Sequence, residues 1–123
     1  MSLPDKNTIE QIIIKGNTKT LVEKAKELGE RFKRNDLSTS QIRNIFSSIK
    51  KMEMSGFNEK ELLLLKPKLA YAAGRRGAKQ GTKDLKEVLS IAIESVGNST
   101  EKFENFCNFF EAILAYHRAE GGK

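Results

Sequence analysis

Residues 36–56, DLSTSQIRNIFSSIKKMEMSG, carry the strongest helix signal in the chain. Ser38 and Gln41 have the spacing of a capping box, in which each side chain bonds to the backbone amide of the other residue. The apolar residues that follow have the spacing of one helix face: Ile42, Ile45, Phe46, Ile49 and Met52. Gly56 can adopt the left-handed conformation that ends many helices. The stretch therefore predicts one amphipathic helix with a defined start and end.

Helical spacing of apolar residues extends through most of the chain. No segment alternates over enough residues to predict a strand, so we expect an all-α fold, a small helical bundle of about five helices. Pro67 lies inside one predicted helix and lacks a backbone donor, which predicts a bend there or a break just before it. Residues 75–83 contain two glycines and are expected to form a loop, with Thr82 capping the next helix.

The chain is expected to have two parts. Residues 1–36 form an N-terminal helical segment that either extends from the bundle or packs on it, and residues 37–123 form the helical bundle that carries the function. The last helix, from residue 98 to about 119, is apolar on more than one stripe. Such a helix is either central or meets a partner, and the pattern favours a central position.

Residue types that carry catalysis are scarce. The chain contains one cysteine, Cys107, and one histidine, His117. Ten residues apart on one helix, these side chains are separated by about 15 Å along the axis and cannot form a thiolate–imidazole pair. The sequence has no glycine-rich phosphate-binding motif, and His117 with Glu120 are too few ligands for a metal. We therefore expect a protein that is not an enzyme and uses no cofactor or metal.

The sequence predicts a cytoplasmic protein. Residues 1–7 lack the basic and apolar regions of a signal peptide. No apolar run approaches the roughly 20 residues of a membrane helix. A single cysteine also gives no reason to invoke an oxidising compartment.

Basic residues are concentrated in one part of the chain. The formal net charge is +6, which favours polyanionic partners, and residues 62–83 contain six basic residues and no acidic one. Lys68, Tyr71 and Arg75 lie on one face of a predicted helix that leads into Arg76. Cations neutralise phosphates and an exposed tyrosine stacks on an unpaired base, so this pattern predicts nucleic-acid binding. The alternative is a solvated charged face with Tyr71 in the core.

Further basic residues extend this candidate surface. Lys79 and Lys83 follow in the predicted loop, and a second basic face lies on the helix that begins at Ser38. For this second face, solubility explains the charges as well as phosphate contact does. The complete set of candidate RNA-binding residues is Arg43, Lys50, Lys51, Lys68, Tyr71, Arg75, Arg76, Lys79 and Lys83.

Three stretches together resemble one known family. They are residues 37–43 (LSTSQIR), residues 65–75 (LKPKLAYAAGR), and the segment from Phe103 through AYHR at 115–118 to GGK at 121–123. In order and spacing they resemble the small subunit of type III-A (Csm) CRISPR–Cas effector complexes. The resemblance covers about residues 37–123, and FFEAILAYH at 109–117 is its most specific part.

The resemblance implies a helical bundle that acts in antiviral defence. It implies that several small subunits line the effector filament and contact the target RNA and its duplex with the guide, while cleavage belongs to other subunits. The implied partners are the other Csm subunits, guide RNA and target single-stranded RNA, with self-association left open. RNA contact is implied for the basic residues that fall in the motifs: Arg43, Lys68, Arg75 and Arg76.

Two other functions are compatible with the same residues. A small helical DNA-binding regulator would use the helix that begins at Ser38 as its recognition helix, although no preceding helix and tight turn of the right length is evident. A protein-only adaptor would use the aromatic last helix as its interface. Preference for duplex DNA would favour the regulator, and tolerance of charge reversal at Arg75 and Arg76 would favour the adaptor.

Overall fold

The computed structural model describes residues 3–121, which form six α-helices and no strand. The helices are α1 (Lys6–Ile13), α2 (Thr18–Arg34), α3 (Thr39–Ser55), α4 (Glu59–Gly74), α5 (Gln80–Val96) and α6 (Thr100–Ala119). The predicted all-α class is confirmed, with one helix more than the expected five. Within the described part of the chain, every helix is too short or too polar to cross a bilayer.

The last helix, α6, lies at the centre of the fold. Its side chains Phe106, Phe109, Phe110 and Ile113 are completely buried. Most of the packing against it comes from α2, with further contacts from α1, α3 and α5. Central packing of this helix is therefore confirmed, and the aromatic residues that a protein-only adaptor would need on its surface are inside the core.

The two N-terminal helices share this core. Ile9, Ile12 and Ile13 of α1 are completely buried, as is Phe32 of α2. The side-chain amide of Asn105 in α6 donates a hydrogen bond to the carbonyl of Ile13 at 2.9 Å. Residues 6–34 thus pack on the rest of the bundle, and restriction of function to residues 37–123 stays a prediction.

Three helices begin at side-chain caps, and the cap of α3 is the predicted capping box. At α3, the Gln41 amide donates to Ser38 Oγ at 3.2 Å, and the Ser38 amide donates to Gln41 Oε1 at 3.3 Å. Asn58 Oδ1 accepts from the Glu61 amide at the start of α4. Ser99 Oγ accepts from the Lys102 amide at the start of α6. Local sequence sets these three boundaries because each cap satisfies a backbone donor that the helix leaves open.

Of the two outcomes predicted at Pro67, the break does not occur, because α4 continues through this residue from Glu59 to Gly74, and the bend stays a prediction. Proline removes the hydrogen bond to the carbonyl four residues earlier, which belongs to Leu63. Both Leu63 and Pro67 are exposed. Water can therefore hydrate the carbonyl that proline leaves without a donor, which allows the helix to continue.

The predicted start of α5 at Thr82 is also wrong, because the helix begins at Gln80 and the loop is confined to residues 75–79. The cause is a tertiary contact with the end of α2. The Gly81 amide donates to the carbonyl of Asn35 at 2.9 Å, and a Cβ at Gly81 would lie 2.8 Å from Cβ of Leu37. Glycine is required there because the two backbones approach too closely for any side chain.

The histidine is packed inside the fold. His117 is completely buried, and its Nε2–H donates to the carbonyl of Leu37 at 2.7 Å. This bond ties the connection between α2 and α3 to the end of α6. Among residues 3–121, no group of three or more His, Cys, Asp or Glu side chains is placed to hold a metal ion.

We expect Cys107 to be unreactive in the folded protein. Burial raises the pKa of its thiol to about 12, and the thiolate is the reactive form. A maleimide at about pH 8 should therefore label the native chain only as fast as it unfolds. Mass spectrometry of the labelled chain, with and without denaturant, measures this. Rapid labelling of the native chain would contradict the buried position.

Candidate nucleic-acid interface

The stripe of Lys68, Tyr71 and Arg75 lies on the surface of the protein, the first two residues on α4 and Arg75 directly after its end. All three residues are exposed, and the Tyr71 side chain is 75% exposed. Placement of Tyr71 in the core, the alternative left open by the sequence, is therefore wrong. The orientation follows from the opposite face of the helix, where Leu62, Leu65 and Leu69 are buried; the main packing partner of α4 is α5.

The loop after α4 continues the basic surface. Arg76 and Lys79 are both exposed in it. Within residues 3–121, neither of them forms an ion pair, and the same holds for Lys68 and Arg75. Four cations without acidic partners therefore lie along one end of α4 and its loop, where they are available to phosphate groups.

A cleft lies between α3 and α4. It has a volume of about 250 Å³ and is lined by Gln41, Asn44, Ile45 and Ser48 of α3, Leu65, Lys68, Leu69 and Ala72 of α4, Arg75 of the following loop, and Thr82 of α5. A smaller hollow of about 120 Å³ adjoins it at the 75–79 loop and shares Gln41, Ala72 and Arg75 with it. No acidic residue lines either cavity. We call the two together the α3–α4 cleft.

Lys66 is separate from this surface although it belongs to the same basic stretch. Its Nζ lies 2.6 Å from Glu94 Oε2 on α5. The hydrogen bond from Lys66 lowers the pKa of the Glu94 carboxyl. The charge of Lys66 is thus matched within the bundle, which explains why it is no candidate for phosphate contact.

The second predicted basic face lies on another side of α3. Arg43 borders a hollow between α3 and α6 together with Phe46 and Glu111. Lys50 Nζ lies 3.0 Å from Glu53 and 3.7 Å from Glu111. The hydrogen bond to Glu53 raises the pKa of the Lys50 amine. The structure therefore does not bring Arg43 or Lys50 together with the α4 stripe, and the charge of Lys50 is partly matched.

The remaining candidates are exposed but lie apart from the cleft lining. Lys51 is exposed on α3, next to Lys50, and Lys83 is exposed on the first turns of α5. Neither residue lines the α3–α4 cleft. Their RNA contact stays a prediction that rests on charge alone.

The start of α3 is poorly suited to reading DNA bases. Helix α2 does precede it, with residues 35–38 between them, so the missing helix noted in the sequence is present. However, Thr39 is buried, and Gln41 Oε1 accepts hydrogen bonds from the Ser38 amide and from Thr82 Oγ1. A recognition helix presents its N-terminal side chains to base edges, whereas these side chains are used within the fold.

Sequence reasoning missed the α3 side of the cleft. Gln41, Asn44 and Ser48 are spaced i, i+3 and i+7, so they form a polar stripe that the helical period could have revealed. It would not have shown that the stripe faces α4 across an open cleft, since that depends on how α3 and α4 pack.

Comparison with known proteins gives one match. The model of the family described as Csm2 Type III-A matches residues 15–123. No curated protein and no solved structure matches the chain.

Proposed function

Because the chain belongs to the Csm2 Type III-A family, and is thus the small subunit of a type III-A CRISPR–Cas (Csm) complex, we propose that it contacts RNA there without catalysing a reaction. The contacted RNA is the target strand and its duplex with the guide. The proposed partners are the other Csm subunits and these two RNAs, in the cytoplasm.

One observation carries the RNA contact. Lys68, Arg75, Arg76 and Lys79 are exposed without acidic partners, and Tyr71 is exposed among them. Unpaired cations gain most from phosphate contact because they exchange solvent and counterions for a fixed anion. An exposed aromatic ring adds a stacking surface that accepts any base.

The proposed contact is tolerant of sequence. Lys and Arg bind phosphates, which are the same for every nucleotide, and the face of a tyrosine ring does not distinguish bases strongly. Base specificity then comes from pairing between guide and target. The non-catalytic part of the proposal is supported by the burial of Cys107 and His117, which keeps both side chains away from any substrate at the surface.

Salt dependence of binding tests the contact. We expect Lys68→Gln and Arg75→Gln, introduced singly into a reconstituted Csm complex, each to reduce the slope of log K against log salt by roughly 0.7 per subunit contact. Lys26→Gln on α2 is the matched control, since it removes the same charge from an exposed position away from the cleft. Fluorescence anisotropy with target RNAs of unrelated sequence measures the slope.

Two results would overturn the proposal. An unchanged slope in both variants would show that Lys68 and Arg75 do not contact phosphates. Strong preference for one target sequence beyond guide pairing would show that the contact is not tolerant of sequence. A tagged chain recovered from its source cells should also bring down other Csm subunits and guide RNA. Recovery of promoter DNA instead would favour the DNA-binding regulator.

A further inference from the structure

The lining of the α3–α4 cleft is both apolar and polar. Its apolar residues are Ile45, Leu65, Leu69 and Ala72, and amide and hydroxyl groups from α3 and α5 lie beside them. The larger of its two cavities has a volume of about 250 Å³, which is smaller than the roughly 300–1,000 Å³ typical of sites for drug-sized ligands. That cavity has room for one small, mostly apolar group with polar edges.

The charged residues of the cleft indicate that its occupant carries negative charge. Lys68 of α4 and Arg75, the first residue after α4, both line the cleft, and at the helical rise their backbones are about 10 Å apart along the helix axis. No acidic side chain faces them across the cavity. An apolar protein side chain entering the cleft would leave both cations without a counter-charge. A nucleotide supplies an anion on each side of its base.

One residue of the cleft lining, Gln41, has a side-chain hydrogen-bond donor that is available to a ligand. Gln41 Oε1 accepts from the Ser38 amide and from Thr82 Oγ1, at 3.3 and 3.4 Å. Among the described residues, Nε2 of the same amide has no partner. Since every nucleobase offers ring-nitrogen or carbonyl acceptors, this donor suits a base edge without selecting one base strongly.

We propose that the α3–α4 cleft accepts one unpaired nucleobase of RNA, with the adjacent phosphates on Lys68 and Arg75. This inference rests on the proposed function and adds a second mode of contact to it. Tyr71 offers a ring on the outer surface of α4, whereas the cleft encloses a base between two helices. Each subunit then holds an RNA strand by its bases as well as by its phosphates.

Binding of intact and abasic RNA by the full chain at low salt tests the cleft. Both strands carry the same phosphates, so their difference in affinity reports base contacts. Tyr71→Ala is used as the background, because it removes stacking on the exposed ring. In that background we expect the intact strand to bind about tenfold more tightly than the abasic strand, as one enclosed base implies.

Filling the cleft should abolish this difference. Ala72→Leu places a larger side chain in the cavity, and Ser48→Leu does so from the α3 side. In both variants we expect the affinity for intact RNA to fall to that for abasic RNA, whose affinity stays unchanged. Ala70→Leu is the matched control, since Ala70 is exposed on the same helix and does not line the cleft. Circular dichroism confirms that each variant is folded.

The outcomes separate the cleft from the proposed function. Equal affinity for intact and abasic RNA before the cleft is filled would overturn base binding in the cleft but not the proposed function. A difference in affinity that remains in both leucine variants would do the same. No binding of either strand would overturn both base binding in the cleft and phosphate contact by the subunit. If the leucine variants bind RNA normally but no longer join the Csm complex, the occupant is a protein side chain and the base proposal is wrong.

Discussion

Asp84→Ala is expected to lower the free energy of unfolding by about 3–5 kcal/mol. The Asp84 carboxylate is buried at the start of α5. It accepts hydrogen bonds from Arg31 Nε at 3.1 Å, Asn35 Nδ2 at 3.0 Å and Gln80 Nε2 at 2.9 Å. Alanine removes all three at once and deprives the Arg31 guanidinium of a partner inside the bundle. The loss is large because the carboxylate is buried and its three hydrogen bonds, all to one charged group, are lost together.

Chemical denaturation measures this loss, and an exposed ion pair provides the comparison. Glu94→Ala removes the partner of Lys66, but this pair lies at the surface, with 31% of the Lys66 side chain and 59% of the Glu94 side chain exposed, so we expect a loss of at most about 1 kcal/mol. Asp84→Asn retains an acceptor of the same shape and should lose less than alanine. Similar small losses for Asp84→Ala and Glu94→Ala would show that the buried network does not hold α5 to α2.

Gly29→Ala is expected to lower the free energy of unfolding by about 1–3 kcal/mol, in spite of the higher helix propensity of alanine. A Cβ at Gly29 would lie 2.7 Å from the backbone nitrogen of His117 and 2.7 Å from Cβ of Tyr116. Backbone atoms cannot move aside by rotation of a side chain. Helices α2 and α6 would therefore have to separate along the most extensive contact of the core.

Gly74→Ala is the matched control for this substitution. Gly74 is the last residue of α4, and nothing lies within 4 Å of a Cβ built there. Alanine should raise the free energy of unfolding slightly, by about 0.4–1 kcal/mol, because it restricts the unfolded chain. Thermal or urea unfolding of both variants would give opposite signs. Stabilisation by Gly29→Ala would show that α2 and α6 are not so closely packed.

The sequence predicts the helices well because the information for them is local. The apolar stripe after Ser38 and the capping box with Gln41 lie within a few turns of each other, and both are observed. The start of α5 was missed because it depends on a hydrogen bond from Gly81 to Asn35, which is distant in sequence. The sequence left a bend or a break open at Pro67, and it could not decide between them because continuation of α4 depends on exposure of the freed carbonyl.

The candidate site divides in the same way. The stripe of Lys68, Tyr71 and Arg75 follows from helical period alone, and the structure places all three on the surface. Period also groups Arg43 with Lys50, but it does not show that Glu111 of α6 lies beside Lys50. Prediction of the cleft would require the distance between α3 and α4, and no sequence pattern within either helix contains that information.

The position of α1 separates two ideas of a domain that often coincide. The segment that matches the family model begins at residue 15, whereas the core of this chain includes Lys6–Ile13, whose three buried isoleucines pack beside α5 and α6. The matched segment and the packed core therefore have different boundaries here. Removal of residues 1–14 would keep the whole matched segment and yet expose the apolar surface of α5 and α6 that α1 covers.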